Sequence, residues 1–185
     1  GERSGGARLI VDPIDATKNF VRGIPIFGTL LALELGGEIA AGLVSAPALH
    51  TRWSAARGCG AFENGRRIRV SGVRELADAM LFHGSLTGDE VGGSQPQVLA
   101  LARATARQRG FGDFYQHALV AAGCGEIAFD PGLKPWDVAP FFVLVEEAGG
   151  RITGVKGERS LDARIFVTSN GWLHAEALAL LERAS

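Results

Sequence analysis

Cysteine is scarce: Cys59 and Cys124 are the only two in 185 residues, and neither sits in a Cys-x-x-Cys pair or a Cys/His cluster. That excludes a disulfide framework and a zinc site, and it suits a reducing cytoplasm. Both lie beside glycines in apolar surroundings and read as small hydrophobes. An excess of either charge is also lacking. Nineteen Lys and Arg against twenty Asp and Glu give a net charge of -1, so there is no broad basic field for nucleic acid or an anionic membrane, and a small-molecule partner is expected. No apolar run reaches the roughly 18 residues of a membrane span and no basic-then-apolar leader is visible, which reads as soluble and unsecreted.

What is present fits one globular domain. Hydrophobic residues make up 46% of the chain, and a chain of this length buries about 70% of its unfolded surface. Glycine is abundant, 26 of 185 residues against the usual ~7%, so several backbone positions should need positive φ or a close approach. No internal repeat or low-complexity tract divides the sequence, and Gly88 to Pro96 reads as a surface loop.

The front half reads as β. Arg8 to Val11 is a short apolar strand ending at Asp12-Pro13. Phe27 to Leu35 and Ile39 to Ser45 flank a Gly36-Gly37 hairpin signal, and Asn64-Gly65 between Ala61-Phe62 and Arg67 to Val70 is a stronger one. The back half alternates. Strands are expected at Ala79 to His83, Glu126 to Phe129, Arg151 to Thr153 and Ile165 to Thr168. Helices are expected at Gln97 to Arg107, Tyr115 to Ala122, Asp137 to Ala148 and Trp172 to Arg183. An antiparallel-rich front and a mixed back imply an α+β layered sandwich rather than a simple doubly wound sheet.

The most chemically loaded segment is DPIDATKNF, Asp12 to Phe20. Pro13 rigidifies the turn between Asp12 and Asp15, so both carboxylates can point at one spot. Carboxylates held close repel each other, which makes sense around a cation, and an all-oxygen set selects hard ions such as Mg²⁺. Ala16, Thr17 and Lys18 could open a short helix whose N–H groups bind an anion beside that cation. The same residues also read as an ordinary turn with a helix cap. A second segment, WDVAPFFVLVEEAGG from Trp136 to Gly150, places Asp137 at or near a helix N-terminus, where it can cap the helix, face a ligand, or both. Trp136 reads as a core staple, and Pro140 as a first-turn proline that costs no hydrogen bond.

Together, in this order and 122 positions apart from Asp15 to Asp137, the two segments resemble the paired signatures of the inositol monophosphatase superfamily of Mg²⁺-dependent phosphatases. The likeness extends over essentially the whole chain. TKNFVRGIP, SAPAL, RWSAARGCGAF and FGDF look most like its histidinol-phosphate phosphatase branch. The resemblance implies a layered α/β sandwich and phosphomonoester hydrolysis by metal-activated water with two or three Mg²⁺ ions. It implies that Asp12 bridges two ions, that the Ile14 carbonyl binds the first, and that Asp15 and Asp137 bind the second. It further implies that the Thr17 hydroxyl orients the attacking water, that the backbone of Ala16 and Thr17 cradles phosphate, and that Asp130 faces the substrate alcohol. Asp113 stands where the inositol-specific branch has a small apolar residue. Two acids around the leaving group suit histidinol, whose ammonium and imidazole are cationic or hydrogen-bonding. Asp113 and Asp130 also read as plain turn residues. Lys18 reads as a solvated or phosphate-steering charge, and His50, His83, His117 and His174 as surface or satisfied core histidines.

Two departures accompany the resemblance. Ala16 replaces a usual glycine, harmless at negative φ and consequential at positive φ. The family's N-terminal helical layer, ending in a Gly-Glu-Glu segment with a metal-binding glutamate, is not seen. Gly1-Glu2 stands where its remnant would lie, with Glu2 as a candidate ligand. Residues 1–185 therefore read as a single phosphatase-domain fragment of a cytoplasmic enzyme of histidine biosynthesis, with a homodimer as the assembly the resemblance implies. The alternatives are a phosphatase of inositol phosphate or another small sugar phosphate, and a catalytically silent truncated domain.

Overall fold

A computed structural model describes residues 6–87 and 93–184; Glu2 and most of the expected Gly88 to Pro96 loop lie outside the described residues. The front half is a six-stranded antiparallel meander of β1 (Ala7–Asp15), β2 (Gly28–Leu35), β3 (Glu38–Ala46), β4 (Thr51–Ala56), β5 (Gly60–Glu63) and β6 (Arg66–Ile68), in that spatial order. Its two sharp hairpins follow the turn chemistry. Gly36 and Gly37 have φ of 60° and 87°, and Asn64 and Gly65 have φ of 49° and 82°, the consecutive positive values of a two-residue turn that matches strand twist.

The back half builds a second sheet from β7 (Met80–His83), β8 (Arg107–Gly110), β9 (Ile127–Pro131), β10 (Arg151–Gly154) and β11 (Ile165–Ser169), ordered β10-β11-β9-β7-β8. β7 is parallel to both β8 and β9, and the remaining pairs are antiparallel. The helices are α1 (Thr17–Val21), α2 (Gln95–Ala104), α3 (Asp113–Ala121), α4 (Pro135–Glu147) and α5 (His174–Arg183). α3 and α4 fill the space between the two sheets, while α2 and α5 pair on the far side of the second sheet. This is the α+β sandwich expected.

α4 explains why the layers hold together. Every residue from Val138 to Val145 is buried, as suits a helix enclosed on all sides rather than an amphipathic surface helix. It lies against β2, β3 and β4 on one side and β10 on the other, and its aromatic residues Phe141 and Phe142 belong to the main core with Trp53, Phe114 and Phe166. No helix of the described residues is long and apolar enough to cross a membrane.

Several local expectations are corrected. β1 does not stop at Asp12-Pro13 but continues to Asp15, because it is an edge strand whose Pro13 removes no essential ladder bond. The helix expected through Arg107 ends at Ala104, and Arg107 to Gly110 becomes edge strand β8, since parallel pairing with β7 overrides the local pattern. Pro140 lies inside α4, past its first turn. Cys59 and Cys124 are exposed.

The approach of α4 to the first sheet depends on Gly42 in β3. A Cβ there would lie 2.6 Å from the Pro140 carbonyl oxygen and 2.9 Å from Val143 Cγ1. Gly42→Ala should therefore destabilise the protein by about 1–3 kcal/mol, lowering Tm by roughly 2–10 °C. Gly72→Ala, where a Cβ meets nothing within 4 Å, should leave thermal unfolding nearly unchanged in the same measurement.

Candidate active site

The site begins with an irregularity in β1. Asp12 pairs with Leu30 and Asp15 with Gly28, so three steps along β1 match two along β2. Side chains three apart on a regular strand face opposite ways, and the extra residue turns Asp15 onto the face of Asp12. Both are buried, while Pro13 and Ile14 between them are exposed. The turn is tied locally: the Ile14 N–H donates to Asp12 Oδ1 at 3.0 Å, the Thr29 hydroxyl to the Pro13 carbonyl at 2.9 Å, and the Thr17 hydroxyl to the Ile14 carbonyl at 2.8 Å.

Two helix N-termini bring Asp137 and Asp113, and the end of β9 brings Asp130. Asp137 is the third residue of α4, and its carboxylate accepts the Lys134 N–H at 2.8 Å while its own N–H donates to the Lys134 carbonyl at 3.0 Å. It both caps the helix and lines the cavity beside Asp12. At the start of α3, Gly112 and Asp113 take positive φ of 70° and 49°. That turn delivers the Phe114 N–H to Asp15 Oδ2 at 2.8 Å and the Asp113 backbone to the Asp130 carboxylate. Helix N-termini carry partial positive charge, so α3 stabilises the acids it meets.

The result is one cavity of about 440 Å³, lined by the acids Asp12, Asp15, Asp113, Asp130 and Asp137 together with Lys18. Carboxylate oxygens of Asp12, Asp15 and Asp137 all lie within 4.8 Å of one another. Burial pushes the Asp15 carboxyl up to about 8, with Asp113, Asp137 and Asp12 adding repulsion against the Phe114 N–H. Burial also raises Asp137 to about 6, with Asp12 contributing against the Lys134 N–H. Asp130 lies well above the usual carboxylate range through burial and its neighbours Asp113 and Asp15. Hard oxygen donors that repel one another when charged are a donor set fitted to a divalent cation such as Mg²⁺ or Mn²⁺.

The structure thus brings together Asp12, Ile14, Asp15, Ala16, Thr17, Asp113, Asp130 and Asp137, with Glu2 outside the described residues. Ala16 resolves the open question about its backbone, since its φ is 59° and ψ is 44°. This left-handed conformation costs a residue with a Cβ about 1–2 kcal/mol. Trp136 is a correction: it is 48% exposed at the cavity wall rather than stapled to the core. Gly84, Ser85 and Leu133 also line the cavity and escaped the sequence reading. Their only signal is that Gly84 follows β7 and Pro131 ends β9, so both parallel strands release their C-terminal ends at the site. Of the histidines, His174 is buried and bonded through both ring nitrogens to Thr153 and Ser169. His117 departs from the expected satisfied state, because its Nε2 has no hydrogen-bond partner among the described residues.

Residues 2–185 match the profile of the Inositol monophosphatase family. The chain is 43% identical to the histidinol-phosphatase of Mycobacterium tuberculosis, over 98% of this chain and 74% of that one. It is 38% identical to the fructose-1,6-bisphosphatase/inositol-1-monophosphatase of Thermotoga maritima, over 95% and 68%. Among solved structures, the inositol monophosphatase of Anabaena sp. PCC 7120 superposes with a TM-score of 0.91 at 26% identity, covering 100% of this chain and 75% of that one.

The raised carboxyls fix the sign of a pH dependence. Asp15 titrates at about 8 in the fold and 3.8 as the reference value, so between those values the native state holds the extra proton. The stability it contributes is fully present below the lower value and lost as pH rises through the upper one. Chelator-treated protein should therefore lose thermal stability from pH 5 to pH 8, and Asp15→Asn should flatten that slope. A metal-free protein that gains stability over the same interval would contradict the crowding described.

Proposed function

This chain belongs to the inositol monophosphatase family and is a phosphomonoester hydrolase, and from that premise we propose that it hydrolyses histidinol phosphate with Mg²⁺ as cofactor. The observation that carries the substrate assignment is the placement of Asp113 and Asp130 in the same cavity as the Asp12, Asp15 and Asp137 cluster. Phosphate would lie against the cluster, and two further acids would meet the cationic alcohol. The histidinol-phosphatase names of three relatives at 36–43% identity support the same reading.

Asp12, Asp15, Asp137 and the Ile14 carbonyl would hold the metal ions. When bound, these ions neutralise phosphate charge and lower the pKa of a water to generate the nucleophile. The Thr17 hydroxyl spends its proton on the Ile14 carbonyl, so its oxygen offers lone pairs that can accept a hydrogen bond from the attacking water, fixing its direction. The Ala16 and Thr17 backbone N–H groups would cradle the phosphate, and Lys18 at the rim would draw it in. Without cations, the ionised acids of the cavity repel a dianionic phosphate, which would make turnover metal-dependent.

The test is steady-state kinetics on histidinol phosphate and inositol 1-phosphate with graded Mg²⁺. Asp137→Asn should lower Mg²⁺-dependent kcat/KM by at least about a hundredfold, roughly 3 kcal/mol of lost charge stabilisation. Asp113→Asn and Asp130→Asn should each lower kcat/KM for histidinol phosphate by about tenfold to a hundredfold, the worth of a charged hydrogen bond, while leaving inositol 1-phosphate little changed. A wild-type preference for inositol 1-phosphate would overturn the substrate assignment and leave the phosphatase chemistry standing.

A further inference from the structure

The buried face of α3 carries two adjacent polar residues where apolar ones would pack, Gln116 and His117, both with no solvent exposure. Gln116 Nε2 donates to Asp130 Oδ2, while its Oε1 has no hydrogen-bond partner among the described residues. His117 Nδ1 meets the Thr168 hydroxyl at 2.8 Å. Its Nε2 lies 3.8 Å from the same Asp130 oxygen, beyond hydrogen-bond reach. A buried polar atom without a partner carries a desolvation penalty that an apolar side chain of similar shape would avoid. Fold stability alone therefore does not account for this pair.

What the two share is Asp130. One holds its Oδ2, and the other stands behind that oxygen, anchored on β11, the strand beside β9. On the opposite side the chain gives way. A Cβ on Gly84 would come within 3.1 Å of Asp130 Oδ1 and 3.6 Å of Gly112 Cα, so two cavity-lining glycines leave room around that oxygen. The carboxylate is thus held by α3 through the Gln116 side chain at Oδ2 and through the Asp113 backbone N–H, and its Oδ1 lies beside the glycines of the cavity wall.

We propose that Gln116 is a positioning residue for substrate selection: by tethering Asp130 Oδ2 it fixes the rotamer that presents Oδ1 to the substrate alcohol, with His117 as its backing. The proposal rests on the reading of Asp130 as the acid that meets the alcohol. It predicts an effect that vanishes when Asp130 is gone, which general loosening of the core would not show.

The experiment is a double-mutant cycle of Gln116→Met and Asp130→Asn in the metal-loaded enzyme, measuring kcat and KM on histidinol phosphate and on p-nitrophenyl phosphate, whose leaving group carries no cation. Gln116→Met should raise KM for histidinol phosphate about tenfold with kcat near wild type, leave p-nitrophenyl phosphate unchanged, and add nothing in the Asp130→Asn background. His117→Asn, an independent variant, should show the same selectivity at smaller amplitude. Equal losses on both substrates, or losses that multiply in the double variant, would overturn the proposal. If the wild type instead prefers inositol 1-phosphate, the substrate reading fails by itself. The cycle run on inositol 1-phosphate then decides the positioning role by the same criterion.

Discussion

Mutual repulsion among the carboxylates of Asp12, Asp15 and Asp137, whose oxygens sit within 4.8 Å of one another, is the constraint around which the rest of the molecule is arranged. Asp113 and Asp130 add to it in the same cavity. In a half-buried setting such a group of charges is costly unless protons or cations neutralise it. The raised carboxyls of Asp15 and Asp137 are that cost expressed as proton affinity.

Backbone and side-chain amides hold Asp12, Asp15, Asp130 and Asp137 in place. Asp12 accepts from the Ile14 N–H, Asp15 from the Phe114 N–H, Asp137 from the Lys134 N–H and Asp130 from the Gln116 side chain. An amide fixes a carboxylate without cancelling its charge, which leaves full charge and a second oxygen for a divalent ion or a cationic substrate. A salt bridge to Lys or Arg would have satisfied the same acids and removed the chemistry. The architecture follows: a bulged edge strand, two helix N-termini and the C-terminal ends of two parallel strands are each brought to one point, and buried α4 between the sheets keeps them in register.

Legibility in the sequence divides along the same lines. The hairpins at Gly36-Gly37 and Asn64-Gly65 were readable because a positive φ leaves a compositional mark. The convergence of Asp12 and Asp15 was readable from the Pro13 turn, although the fold achieves it through a bulge in a continuing strand, and their grouping with Asp137 was readable only through the family resemblance. Nothing local announces β8, whose residues RQRG form a strand because β7 is there to pair with. Gln116 and His117 sit on an apolar-looking helix, and their link to Asp130 exists only after β9 and α3 have packed. The left-handed backbone of Ala16 was an open question that only the fold could answer.

The central claim is that the acidic cluster holds protons until divalent cations replace them, and calorimetric titration of the metal-free protein with Mg²⁺ in buffers of differing ionisation enthalpy tests it most directly. With Asp15 near 8 and Asp137 near 6, binding at pH 7 should release about one proton per protein, chiefly from Asp15. The release should disappear in Asp15→Asn. Mg²⁺ binding with the same heat in every buffer, or no saturable binding at all, would contradict the account.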